Sequence, residues 1–155
     1  MKKFRDTYLK KLHIGNLTTD SNVFMAPLAG YTCYPFRRMC RKLGAGLAFT
    51  EMVSANGLKY NDKATAKLLY TDAAESPKAV QLLGCVPSAF EAACKGAYTA
   101  DYDIVDINMG CPVPNIIKNG EGCALTGDLP LAAKIIEACK RSGKAVTELF
   151  RLILA

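Results

Sequence analysis

A chain of 155 residues, half of them hydrophobic and 22% charged, is long enough for one domain with a real core and is composed like an ordinary soluble protein. No apolar run reaches bilayer-spanning length, and the basic start MKKFRDTYLKK lacks the apolar region and cleavage site of an export signal, so a membrane or exported protein is not expected. Seven cysteines, several in apolar helical stretches, point to a reducing cytoplasm, and His13 as the single histidine with no C-x-x-C pair leaves a metal site almost no ligands.

The net charge is +6, which suits a polyanionic partner or simply a solvated surface. Residues 1–11 hold five basic side chains against Asp6. Arg37, Arg38, Arg41 and Lys42 form a second cluster.

In chain order, His13–Ile14 and Leu17–Thr18 flank Gly15-Asn16 as a hairpin suited to plugging one end of a fold. Short apolar segments bounded by turn residues predict strands at Val23–Pro27, Leu47–Glu51, Ala79–Leu83, Ile104–Asn108 and Ala145–Phe150. Between them, Pro35–Leu43 reads as a helix that buries Phe36, Met39, Cys40 and Leu43 and turns its four basic residues outward. Asn56–Leu69 reads as loop and helix together. Pro87–Ala100 places Phe90, Ala93, Cys94 and Ala97 on one stripe, with Glu91 and Lys95 paired one turn apart. Leu129–Ser142 places Leu129, Ala132, Ala133, Ile136 and Cys139 on another.

Strand–helix alternation implies parallel strands with right-handed crossovers, in an open doubly wound sheet or a (β/α)₈ barrel. No G-x-G-x-x-G follows the first strand, which weighs against a dinucleotide fold. The expected architecture is therefore a partial TIM barrel, with about four βα units plus a fifth strand behind a short N-terminal hairpin. A whole barrel needs roughly 250 residues, so residues 1–155 are expected to be part of a truncated barrel domain that cannot close eight strands by itself.

Polar and special residues gather at the predicted C-terminal ends of these strands, the edge where (β/α) folds place their chemistry. Cys111 is the sharpest candidate, just past a buried strand and between Gly110 and Pro112. Such a thiol can be a nucleophile, a metal ligand or a general acid, and the lack of a second histidine or of metal partners leaves general acid. The alternative is a buried structural cysteine. Lys118–Cys123 is a glycine-punctuated loop that either closes over a ligand as a lid or is a plain surface turn. Gln81, in an apolar strand, needs a polar partner in a ligand or in the backbone.

Met25–Thr32, Pro35–Arg38, Leu43–Gly46, Thr50–Ala55, Val80–Gly84, Asp106–Val113 and Lys118–Leu125, in this order, resemble the opening of the tRNA-dihydrouridine synthases. The resemblance implies an FMN-binding barrel followed by a helical domain that helps hold tRNA, with NADPH as reductant. By it, Cys111 matches the residue that protonates C5 of uracil. Pro27, Leu28 and Ala29 match the segment lining the flavin, Gln81 a residue that hydrogen-bonds its ring, and Asn108 a position beside flavin and uracil. Two departures stand out. Cys33 replaces an aspartate, at the expense of a helix cap. Leu149 occupies the place of a flavin-binding lysine, and the likeness fades toward the chain end.

Three readings follow: a tRNA-dihydrouridine synthase; a dihydroorotate-dehydrogenase-like flavoenzyme, against which Met25–Thr32 and Pro35–Arg38 argue; and a non-catalytic partial barrel that binds RNA weakly through its basic faces or does nothing, its open strand edges inviting self-association.

Overall fold

The computed structural model describes residues 8–151. Most of the basic N-terminal cluster (Lys2, Lys3, Arg5) and the last four residues lie outside them. The hairpin is present as β1 (His13–Ile14) and β2 (Leu17–Thr18), with Gly15 at φ 61° in the turn. Five parallel strands follow: β3 (Phe24–Met25), β4 (Leu47–Ser54), β5 (Ala79–Leu83), β6 (Ile104–Met109) and β7 (Ala145–Phe150), hydrogen-bonded in sequence order. Together they curl into half of a barrel.

The expected β5 and β7 match residue for residue, and β6 runs one residue further than expected. The first strand is shorter than Val23–Pro27. It has two residues, on the outer edge of the sheet, and stops before Pro27, which has no N–H to offer a ladder. β4 is longer than expected, and its register with β5 shifts between Phe49 and Met52.

The helices are α1 (Tyr34–Lys42), α2 (Ala55–Lys59), α3 (Lys63–Lys67), α4 (Pro87–Lys95), α5 (Pro114–Lys118) and α6 (Leu129–Lys140). Short 3-10 turns run over Ala97–Thr99 and Gly122–Gly127. The mixed reading of Asn56–Leu69 resolves as α2 and α3, joined through Asn61 in a left-handed conformation. Cys33 caps α1 without a side-chain hydrogen bond, as its departure from aspartate implies.

Two cores result. On the convex side Val80, Leu82, Val105 and Ile107 pack under Phe90, Ala93, Cys94, Ile135, Ala138 and Cys139. On the concave side Ile14 and Leu17 of the hairpin close against Leu47, Phe49, Ala79 and Ile104, so the hairpin is the plug.

Two helix faces differ from expectation. In α1 the buried residue is Arg37, 1% exposed, while Met39 is 49% and Leu43 81% exposed. A buried guanidinium needs every donor used. Arg37 makes a two-pronged pair with Glu75 at 2.8 and 2.9 Å and donates to the carbonyls of Thr32 and Tyr70, each at 2.8 Å. Arg41 is also largely spent inside the fold, on the carbonyls of Ala45, Gly46 and Ser76 and on Asp20. The basic cluster therefore faces solvent only through Arg38 and Lys42, and Arg38 pairs with Asp72 at 3.5 Å.

In α6 the buried positions are Ala132, Ile135, Ala138 and Cys139, whereas Leu129 is 71% exposed and Ala133 is exposed. Both helices flank an edge strand, and part of their apolar surface is uncovered. In α4, between them, Phe90, Ala93 and Cys94 are buried as expected. Ala97 is exposed, because the helix stops at Lys95 before Gly96. Glu91 meets Lys95 at 2.8 Å and also Arg141, which caps α6, at 2.8 Å.

Candidate active site at the C-terminal edge of the sheet

β6 is the strand from which the site grows. Its six residues are all buried, and alternation sends Asp106 and Asn108 to the concave side. Asp106 accepts a hydrogen bond from Thr147 of β7 at 2.6 Å and from the Gln81 amide of β5 at 2.7 Å. The Gln81 carbonyl oxygen accepts from the Asn108 amide at 2.9 Å. The Asn108 oxygen accepts from the backbone N–H of Gly110 at 3.2 Å and of Cys111 at 3.0 Å. One chain of hydrogen bonds thus runs across three strands and ends on the turn that carries the thiol. Burial pushes the Asp106 carboxyl above its ordinary range; the Thr147 and Gln81 hydrogen bonds oppose that shift and the charge of Glu148 adds to it.

Cys111 is half-buried directly after β6. The Lys118–Cys123 segment does not stand off as a lid. It lies on the Cys111 turn: Cys123 N–H donates to the Cys111 carbonyl at 3.1 Å. Gly122 sits at φ 61°, and a Cβ there would come within 2.7 Å of that carbonyl oxygen and 3.0 Å of the Cys111 Cβ. Only glycine permits this approach. Behind the turn, burial raises the Glu121 carboxyl, and burial together with the Glu121 charge raises the Cys85 thiol. The Cys85 thiol donates to the Asn119 carbonyl at 3.4 Å.

Pro27, Leu28 and Ala29 form a loop at the same edge, with Leu28 and Ala29 exposed. The loop is held on three sides. Thr32 Oγ1 closes it by accepting from Leu28 N–H and donating to the Leu28 carbonyl, each at 3.1 Å. Glu51 of β4 accepts from Gly30 N–H, and Arg37 holds the Thr32 carbonyl from below. The structure therefore joins Gln81, Asn108 and Cys111 through hydrogen bonds. Pro27–Ala29 follow β3, two strands from Gln81 and three from Asn108 and Cys111.

Leu149 is opposite Asn108 in the β6–β7 register. It lines a groove of about 390 Å³ on the concave side, with Phe24, Phe49, Asp106 and Thr147. A Cβ on Gly110 would come within 3.0 Å of its side chain. Sequence reasoning assigned no role to Asp106, Thr147, Glu51 or Arg151, whose guanidinium donates to the Gly110 carbonyl at 3.2 Å. A carboxylate inside the apolar run Ile104–Met109, two residues from Asn108 and so on its face, was the available signal for Asp106.

Among the described residues no helix is long and apolar enough to cross a membrane, and no group of three or more His, Cys, Asp or Glu is placed to hold a metal ion.

Similar solved structures include histamine dehydrogenase from Rhizobium sp. 4-9, with a TM-score of 0.61 over 92% of this chain and 33% of that one at 13% identity. A variant of NCR from Zymomonas mobilis gives 0.61 over 90% of this chain and 57% of that one at 16% identity. At such identities they attest the fold. In sequence, the chain is 35% identical over 131 residues to tRNA-dihydrouridine synthase B of Pseudomonas aeruginosa, covering 84% of this chain and 40% of the relative. It is 36% identical over 130 residues to a probable tRNA-dihydrouridine synthase of Rickettsia conorii, covering 82% and 39%. The chain thus spans about two fifths of the length of the curated relatives it matches. Residues 24–152 match the sequence model of the dihydrouridine synthases, and with 35% identity to a curated member the chain belongs to that family.

Proposed function

We propose that this chain carries the protonating side of a tRNA-dihydrouridine synthase site, with Cys111 as the proton donor to uracil C5. The observation that supports it most is the Cys111 turn itself. A half-buried thiol stands at the C-terminal edge of β6, its backbone N–H held by Asn108 and its carbonyl by Cys123. A general acid must present its proton at a fixed place, and a turn tied at both ends does this without further ordering. Asn108 and Gln81 stand beside it, and the Pro27–Ala29 loop is fixed by Thr32 and Glu51 at the same edge.

In this reading the substrate is uridine in tRNA, the setting is the cytoplasm, and the cofactor is FMN with NADPH as reductant. The residues fit a flavin on one side only. Gln81 retains one amide proton beyond its bond to Asp106, and the loop offers open backbone. Across the groove, Leu149 supplies no cation where the family resemblance expects a lysine. The chemistry that FMN supplies when bound is hydride delivery to C6 of the ring. Cys111 then holds the proton for C5, and the turn keeps that proton aimed at one face of the base.

The test is a chimera in which residues 24–144 replace the matching segment of the Pseudomonas aeruginosa relative. Cys111→Ala is expected to lower dihydrouridine formation by ~10²–10⁴-fold with flavin retained. Unchanged turnover in the alanine chimera rules the assignment out. Leu149 favours a second reading for the chain by itself: a partial barrel that holds little flavin and self-associates through its uncovered edges.

A further inference from the structure

Asp106 is 2% exposed and its carboxyl has no part in the proposed proton transfer. We infer that Asp106 is a positioning residue: through Gln81 and Asn108 it fixes the orientation of the turn that carries Cys111.

The inference follows from which atoms can donate. The N–H groups of Gly110 and Cys111 can only donate, so the Asn108 atom facing them is its oxygen. That turns the Asn108 amide nitrogen toward Gln81, which must answer with its own oxygen. The Gln81 nitrogen is thereby turned toward position 106, and the residue there must accept. A carboxylate only accepts. When protonated, its second oxygen still accepts from Gln81 while its O–H turns to the Thr147 oxygen, so the sense of the chain survives either state.

Burial makes this order obligatory. Gln81 is 1% and Asn108 6% exposed, so water is not at hand to replace a lost partner. Among the described residues no buried side-chain nitrogen or oxygen lacks a hydrogen bond. With an apolar side chain at 106 the Gln81 amide loses its anchor and is free to turn over. Asn108 then keeps only the Met52 sulfur, a weak acceptor at 3.7 Å, and the Gly110–Cys111 turn loses the firm hold of its oxygen. Asp106 thus acts at a distance, with two side chains between it and Cys111. Its importance to catalysis rests on the reading of Cys111 as proton donor; its effect on the turn does not.

The experiment is site-resolved amide hydrogen exchange on the full chain, comparing wild type with Asp106→Leu, Asp106→Asn and Gln81→Met. Asp106→Leu is expected to speed exchange at Gly110 and Cys111 by roughly 10-fold, while Val53 and Val80 in the sheet core change little. Asp106→Asn still offers an oxygen to Gln81 and is expected to restore most of the protection. Gln81→Met cuts the same chain in its middle and is expected to reproduce the local loosening, which decides the matter if Asp106→Leu fails to fold. Exchange that rises uniformly through the sheet in Gln81→Met, an Asn variant no better protected than Leu, or a Cys111 amide indifferent to all three changes would overturn the inference. None of these readouts needs flavin or turnover, so a failed Cys111 assignment and a failed Asp106 inference are told apart.

Discussion

The middle of the sheet and its two margins are built on different terms. At the centre, β5 and β6 have a strand on either side and α4 above them, and every residue of both strands is buried. Phe90 is fully enclosed there. At the margins, α1 and α6 turn part of their apolar surface to solvent, with Leu43 and Leu129 largely exposed. What holds α1 is a polar tie, the buried Arg37–Glu75 pair at 2.8 Å. An element with neighbours on both sides is fixed by burial; one at the end of the row needs a specific bond, or a neighbour yet to arrive.

The sharpest way to break this contrast is to remove half of the tie. Arg37→Met leaves Glu75 buried without its cation and is expected to cost about 3–5 kcal/mol in a denaturant melt. A loss within 0.5 kcal/mol would mean that the pair does not anchor α1. In the centre, Phe90→Ala is expected to cost roughly 3–5 kcal/mol through the cavity it leaves. Leu43→Ala and Leu129→Ala should each stay within ~0.5 kcal/mol, since association through the strand edges leaves these side chains exposed. If either matches Phe90→Ala, that face is covered in solution, and a sedimentation measurement on the same sample identifies a second copy as the cover.

Acid sensitivity tests the surface bond between α4 and α6. The Arg141 hydrogen bond, with that of Lys95, holds the Glu91 carboxyl down to about 2 from 4.5. A lowered carboxyl adds stability that is present above its unfolded value and lost as pH falls toward 2. Asp106 has the opposite sign: its raised carboxyl favours the fold at low pH and gives that up as pH rises through its folded value. Glu91→Gln should therefore flatten the acid limb of stability, and an unchanged limb shows that the bond carries no net stability. Because Glu91 is at the surface, this is the smallest of the effects.

The same division decides what was legible in the sequence. β5, β7 and the hairpin were readable to the residue, since apolar run, length and bounding turn residues agree there. The edge strand β3 was overestimated toward its C-terminal end because Pro27 has no N–H to give its ladder. The faces of α1 and α6 were misjudged because apolar spacing reports which face seeks burial, and a margin leaves that search incomplete. Arg37 hides inside a basic run; nothing local tells that Glu75, 38 positions away, claims it. At the site, the Asn108–Pro112 turn pointed to Cys111, and Gln81 stood out as polar in an apolar strand. The bond that joins them could not be read, since it depends on the lateral register of β5, β6 and β7.

Under the proposed function the arrangement is one wall of a flavin site with Leu149 on its open side, so the flavin content and mass of the purified chain are the most direct measure. The expected result is a nearly colourless protein that sediments as more than one copy, and Leu149→Lys should raise its flavin content. A yellow monomer holding one flavin per chain and forming dihydrouridine in tRNA would contradict it.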